Sequence, residues 1–111
     1  MSSEEIISIK DFKRLDIRIG TIKQCEPVTG SDKLLKIQMD MGDHIRQIIS
    51  GIAEYYSPEK LVGLKIAVLC NLKPARIFGN DSNGMLLAAE FGSDLALLTV
   101  DRGISNGAKV T

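Results

Sequence analysis

Residues 35–72 read LKIQMDMGDHIRQIISGIAEYYSPEKLVGLKIAVLCNL and contain the clearest structural pattern in the chain. In the first six residues, apolar Leu35, Ile37 and Met39 alternate with polar side chains, which predicts a half-buried strand. The turn MGDH then reverses the chain into IRQIIS, the predicted antiparallel partner of that strand. One face of this second strand carries Arg46, Ile48 and Ser50.

A short helix and a buried strand follow this hairpin. Ser57 and Pro58 are typical of an N-cap and a first helical position, and the predicted helix ends near Gly63. The next segment, LKIAVLCNL, is apolar on both faces, as expected of a strand near the centre of a closed sheet. Two later segments, MLLAAE and LALLTV, are predicted to be further strands.

The N-terminal part is predicted to hold a short helix and a bent strand. Ser8 and Asp11 have the spacing of a capping box, which predicts a helix over residues 9–14. The apolar alternation that begins at Ile17 slips by one residue at Gly20-Thr21, and this indicates a β-bulge.

The order of these elements predicts the fold class. Five or more short strands with one helix between the third and the fourth are typical of a five-stranded OB-fold barrel, here all-β with short helices and additional C-terminal strands. A small β-sandwich is the alternative, and the single helix after the third strand favours the barrel. With 111 residues, the chain is predicted to be one domain over residues 1–111.

Composition argues against several classes of protein. No apolar run approaches the 18 or so residues of a membrane span, and the acidic start MSSEEIISIK lacks the basic region of a secretion signal, so we expect a cytoplasmic protein. Cys25, Cys70 and His44 are too few for a disulfide framework or a zinc site. The glycine-flanked segment 79–84 lacks phosphate-loop spacing and is predicted to be a loop. We therefore expect no catalytic residues, no metal and no cofactor.

The charges are unevenly distributed although the net charge is zero. Residues 33–80 carry seven Lys and Arg against four acids, a local net of +3, whereas residues 1–32 sum to −1 and residues 81–111 to −2. This distribution permits one basic face, although a shift of this size is also common on ordinary surfaces.

The segment Asn71-Leu72-Lys73-Pro74-Ala75-Arg76 is the most suggestive of function. It leaves a central strand at the rim of the predicted barrel, where its polar side chains meet those of the preceding hairpin. The competing interpretation is that these are solvated charges at strand ends. The residues predicted to share this rim are Asn71, Lys73, Arg76, Lys33, Lys36 and Arg46.

Four consecutive segments, DKLLKIQMD, RQIISGIAEYYSPEKLVG, AVLCNLKPARIFG and DSNGMLLAAE, resemble the tRNA-binding-domain family. This family includes stand-alone dimeric tRNA-binding proteins, the C-terminal domain of methionyl-tRNA synthetases, and relatives such as endothelial-monocyte-activating polypeptide. The resemblance covers about residues 11–110. The matching positions are Lys33, the segment Arg46 to Gly51, Asn71, Lys73, Arg76, Ser82, Gly84 and Met85.

The resemblance implies an OB barrel that grips the outer corner of folded tRNA by its shape. It also implies a homodimer, formed through the N-terminal helix region and the C-terminal strands, and an aminoacyl-tRNA synthetase as a partner. Met85 is equally compatible with a place in the core. Phe78 and Asp81 depart from the family pattern, in which basic residues are frequent at both places. The tRNA-binding residues implied are Lys33, Lys36, Arg46, Ser50, Asn71, Lys73, Arg76, Ser82 and Met85.

Two other functions remain open at this point. A CsaA-like export chaperone has the same fold and binds peptides, although such chains usually lack the equivalent of Asn71. The chain is also compatible with a detached domain or subunit of a synthetase, bound to its catalytic part. The basic and polar set between Lys33 and Ser82 resembles the tRNA-binding branch better than the chaperone branch.

Overall fold

The computed structural model describes residues 5–111 and has a curved five-stranded antiparallel sheet at its centre. The five strands are β1 (Ile17–Pro27), β2 (Leu35–Asp40), β3 (Ile45–Ser50), β4 (Lys65–Leu69) and β7 (Met85–Leu86). The sheet order is β3-β2-β1-β4-β7, and helix α2 (Pro58–Leu61) connects β3 to β4. This order and the position of the helix confirm the predicted OB-fold barrel.

Helix α1 (Ile9–Phe12) is two residues shorter than predicted but has the predicted capping box. The Ser8 hydroxyl accepts a hydrogen bond from the Asp11 N–H at 3.2 Å, and the Asp11 carboxylate accepts one from the Ser8 N–H at 3.4 Å. Helix α2 has Ser57 at its N-cap and Pro58 at its first position, as predicted, but the Ser57 hydroxyl forms no capping hydrogen bond.

The bulge in β1 lies at Lys23 and not at Gly20-Thr21, where the sequence predicted it. Pairing with β2 shifts register between Ile22 and Gln24, while pairing of residues 17–21 with β4 is regular. The apolar slip has another cause, because the two faces of the strand are covered by different layers. Ile17 and Ile19 pack under the C-terminal segment, and Ile22 faces the barrel interior.

Two small hairpins lie outside the barrel sheet. The segment 79–84, predicted to be a loop, contributes instead to a hairpin of β5 (Ala75–Ile77) and β6 (Asn80–Ser82). The predicted strand MLLAAE is split, because β7 stays paired with β4 whereas β8 (Ala88–Phe91) leaves the sheet to pair with β9 (Asp94–Leu97). No helix among residues 5–111 is long and apolar enough to cross a membrane.

The core has two parts. The larger one fills the barrel and includes Ile22, Ile37, Ile48 and Val68, and the smaller one lies on the outside of β1 and β4. The C-terminal run of leucines is largely used within the chain, since Leu95 and Leu97 pack against the larger core.

Candidate nucleic-acid interface

Two loops meet at one rim of the barrel. The first loop (residues 28–34) joins β1 to β2, and the long loop (residues 70–84) joins β4 to β7 and contains the β5–β6 hairpin. They touch where the ring of Phe78 lies over Gly30, its nearest atoms 3.9 and 4.0 Å from the position that a Cβ at residue 30 would take. In OB folds, these two loops and the adjoining face of the second and third strands commonly bind oligonucleotides.

The strand register divides the predicted site residues between the two faces of the β2–β3 hairpin. Lys36 is paired with Ile49, and these two residues lie on the outer face. Arg46 is paired with Met39, and both lie on the inner face, toward the core. Ser50 shares that inner face, where it is half-buried opposite Leu35. Lys36 therefore points away from Arg46 and Ser50, although the sequence placed Lys36 and Arg46 at one rim.

Arg46 connects three segments of the chain. Its Nη1 donates to the carbonyl oxygens of Cys70 and Asn83, both at 3.1 Å, and its Nε is buried without a partner. These bonds hold the end of β4 and the segment before β7 against β3. The Arg46 guanidinium thus holds the two ends of the long loop together.

Asn71 and Ser82 are also engaged with the backbone. The Asn71 amide donates to the carbonyl of Arg14 at 2.7 Å and accepts from the N–H of Asp16 at 2.9 Å. The hydroxyl of Ser82 is buried and accepts from the N–H of Ile49 at 3.0 Å. Asn71 thus joins the long loop to the segment after α1, and Ser82 joins β6 to β3.

Four cationic side chains remain on the loops and the outer face. Lys33 and Lys73 are exposed and Lys36 is half-buried, and within residues 5–111 none of the three has a carboxylate at ion-pair distance. Arg76 is exposed and pairs with Asp81, with 2.8 Å between Nη1 and Oδ1. This group of Lys33, Lys36, Lys73 and Arg76 is called the cationic rim below.

Two glutamines that were not predicted as site residues hold the β5–β6 hairpin against the outer face of the β2–β3 hairpin. The amide of Gln38 donates to that of Gln47 at 2.9 Å, and Gln47 donates to the carbonyl of Asp81 at 2.7 Å. Both were visible as polar members of the strand alternation.

Met85 is exposed, and its neighbour Leu86 enters the core instead, so the structure does not support a core role for Met85.

Neither cysteine has the character of a nucleophile. Burial, with smaller contributions from Glu26 and Glu59, raises the pKa of the Cys25 thiol to about 11. Burial also raises the pKa of Cys70. Both thiols therefore stay protonated at neutral pH, the form that does not react. Among residues 5–111, no three His, Cys, Asp or Glu side chains are grouped as a metal site would require.

Comparison with known proteins places this geometry in a family. The family model described as "Putative tRNA binding domain" matches residues 17–109, a range that contains the barrel, both loops and the cationic rim. The chain belongs to the tRNA-binding-domain family. The OB-like barrel and the membership of this family both agree with the prediction from sequence.

Members of the tRNA-binding-domain family with similar sequences include methionine–tRNA ligases. The chain is 50% identical over 110 residues to that of Thermotoga maritima, covering 99% of this chain and 18% of the ligase. The chain thus spans less than a fifth of the curated relatives it matches.

Two solved structures share the fold over nearly the whole chain. One is the MetRS related protein from Pyrococcus horikoshii, with a TM-score of 0.92 and 33% identity, covering 97% of this chain and 100% of that protein. The other is the chaperone CsaA from Bacillus anthracis str. Ames, with a TM-score of 0.88 and 28% identity, covering 96% of this chain and 100% of the chaperone. Both branches considered from sequence are therefore represented among the relatives.

Proposed function

We propose that this chain is a non-catalytic, structure-specific tRNA-binding module that grips the outer corner of folded tRNA in the cytoplasm. The observation that carries this proposal is the cationic rim, whose four side chains lie on the outer face of β2 and on the two loops that OB folds use for oligonucleotides. Lysine and arginine at such places neutralise phosphates, which supply most of the affinity for nucleic acid.

The predicted residues have three different roles in this proposal. Lys33, Lys36, Lys73 and Arg76 contact phosphates, and the exposed side chain of Met85 contacts ribose or base. Arg46, Asn71 and Ser82 act as positioning residues, because their polar atoms hold the long loop in place. Ser50 is proposed to donate a hydrogen bond to ribose or a base edge of the RNA from the inner face, at the edge of the barrel.

The direct test is the affinity of the chain for RNAs of different shape. Folded tRNA is expected to bind at least about tenfold more tightly than a fully paired duplex or a heat-unfolded tRNA of the same length, because a rigid rim fits one arrangement of phosphates. Fluorescence anisotropy or an electrophoretic shift at fixed salt measures this. Equal affinity for all three RNAs would contradict recognition by shape.

The ion pair between Arg76 and Asp81 gives a second test. We expect Asp81→Lys to tighten tRNA binding by about three- to tenfold and to steepen the dependence of log K on log salt by about 0.7 or more, since it adds a cation and frees Arg76. An exposed pair contributes little to folding, so stability should change little. Asp94→Lys, an exposed site on β9, makes the same change in charge elsewhere. If both variants behave alike, the gain reflects net charge and not the rim.

We also propose that the chain forms a homodimer through its N-terminal region. Ile6, Ile7 and Ile9 are exposed, and beside α1 lies an apolar cavity of about 350 Å³. The resemblance implied an interface that also includes the C-terminal strands, but Leu95 and Leu97 of those strands pack within the chain. Burying the apolar surface near α1 would favour association by about 25 cal/mol per Å².

Sedimentation equilibrium at micromolar concentration tests the dimer. The chain is expected to sediment as a dimer, and Ile9→Glu is expected to raise the dimer dissociation constant at least about tenfold, because the carboxylate would be desolvated at the interface. Val62→Glu, at an exposed apolar site on the C-cap of α2, is the matched control. A wild-type monomer would rule the dimer out.

Peptide binding is the second candidate function, favoured by the likeness to CsaA. Binding of tRNA and binding of peptides differ in their dependence on the cationic rim, since an unfolded peptide has no regular array of phosphates.

A synthetase partner is a further proposal, supported by the sequence identity with methionine–tRNA ligases, and pull-down of the catalytic part of such a ligase would test it.

A further inference from the structure

Phe78 lies at the tip of the β5–β6 hairpin in a backbone conformation that bulky residues rarely adopt. Ile77 pairs with Asn80, so Phe78 and Gly79 are the central residues of a two-residue turn. Their φ angles are 50° and 78°, both positive, as in a type I′ turn. Asn-Gly is favoured in such turns, whereas phenylalanine at the first position is strained. Strain of this kind tends to be kept at functional sites.

The strain at Phe78 is not offset by burial of its ring. The residue is 62% exposed, and its ring lies against Gly30, a residue that has no side chain. The Asn80 amide donates to the Phe78 carbonyl at 2.9 Å and holds the turn in place. The aromatic ring therefore lies where the two loops of the interface meet, with most of its surface open to solvent.

Building on the proposed tRNA binding, we propose that Phe78 stacks against one unpaired nucleobase of the bound RNA. Lys33 lies three residues from Gly30 on the first loop, and Arg76 lies two residues before Phe78 on β5. Cations on the same two loops as an aromatic ring match a nucleotide, whose phosphate and base need these two kinds of contact. Because every base has a π-face, the contact adds affinity without selecting a sequence.

The first test removes the ring without unfolding the hairpin. Phe78→Asn places the favoured Asn-Gly pair in the turn, so the melting temperature is expected to stay the same or rise. Affinity for folded tRNA is expected to fall at least about fivefold. The salt dependence of binding should not change, because no charge is lost. A purely structural role for Phe78 would instead lower stability and affinity together.

The second test uses the absence of tryptophan from the chain, which makes an introduced indole the only one. In the Phe78→Trp variant, adding tRNA is expected to quench the indole emission and to protect it from acrylamide. Phe91→Trp is the control, since Phe91 is 88% exposed at the end of β8, in the other hairpin. Its emission should not respond to tRNA.

The outcomes separate this contact from the proposed function. If the wild-type chain binds tRNA and Phe78→Asn binds it equally well, the stacking contact is wrong while tRNA binding stands. An indole at residue 78 that stays open to acrylamide in the complex leads to the same conclusion. If the wild-type chain does not bind tRNA, the proposed function fails, and the stacking contact fails with it.

Discussion

Replacing Lys33, Lys73 and Arg76 together with alanine is expected to weaken binding of folded tRNA at least about 100-fold at moderate salt. Each side chain is proposed to neutralise one phosphate, and a hydrogen bond to a charged group contributes roughly 1.5 kcal/mol or more. The three residues lie on the two loops that meet at Phe78 and Gly30. The loss should be similar for every RNA that reaches the rim, because phosphate contacts carry no sequence information.

The same variant is expected to flatten the salt dependence of binding. Each lost phosphate contact lowers the slope of log K against log salt by about 0.7 to 0.9, so three losses lower it by about 2 to 2.7. The measurement is tRNA affinity at four or five salt concentrations. Stability should be nearly unchanged, since Lys33 and Lys73 make no ion pair within residues 5–111 and the Arg76 pair is exposed.

A charge-matched control separates the rim from the overall field of the protein. Lys10, Lys23 and Lys60 are exposed on α1, on the β1 bulge and on α2, and their triple replacement by alanine removes the same three charges. For this control, the slope of log K against log salt should differ from that of the wild type by no more than about 0.7 to 0.9, the contribution of one phosphate contact. If the two triple variants lose affinity and slope equally, the proposed face is wrong. If neither affects tRNA binding and unfolded peptides bind better than tRNA, the peptide-binding function is favoured.

Gly84→Ala is expected to lower the free energy of unfolding by about 2 kcal/mol or more. Gly84 has a φ of 120°, and a Cβ there would lie 2.8 Å from the backbone oxygen of Leu69 in β4. Neither β4 nor the segment between β6 and β7 moves easily, because Ser82 and Arg46 join them to β3. The melting temperature should fall by roughly 8 °C or more.

Gly79→Ala is the matched control for this effect. Gly79 also has a positive φ, 78°, but nothing lies within 4 Å of the position its Cβ would take. This variant carries only the conformational strain, about 1 kcal/mol. Guanidinium unfolding with an unchanged m-value measures both differences. Equal losses for the two variants would show that the contact with Leu69 is not what requires glycine at residue 84.

The long loop shows why side chains that bond to distant backbone atoms were harder to interpret than exposed lysines. Arg46 and Asn71 were predicted to contact RNA, but their partners lie 24 to 57 residues away along the chain. Sequence spacing contains no information on such pairs, because only folding brings the backbone carbonyls of Cys70 and Arg14 next to them. Lys33 and Lys73 required no partner, and the structure leaves both exposed.

The β5–β6 hairpin was missed for a similar reason. Its strands read ARI and NDS, which have no apolar alternation, and its turn has Phe where Asn is favoured. The glycine at the second turn position was the one local signal. The hairpin is held by pairing and by Gln47, whose amide donates to the carbonyl of Asp81.

The amino-acid sequence alone predicts the barrel, because alternation in β2, the apolar run of β4 and the Ser57-Pro58 helix start are local consequences of side-chain period and backbone geometry. It also determined the family, through segments whose order is visible in the sequence. The face that each side chain reaches, and the polar atoms that remain free, depend on how the whole chain folds. Register separates Lys36 from Arg46, and the meeting of two distant loops places Phe78 over Gly30. These are long-range relations, fixed by packing of the whole barrel and not by neighbours in sequence.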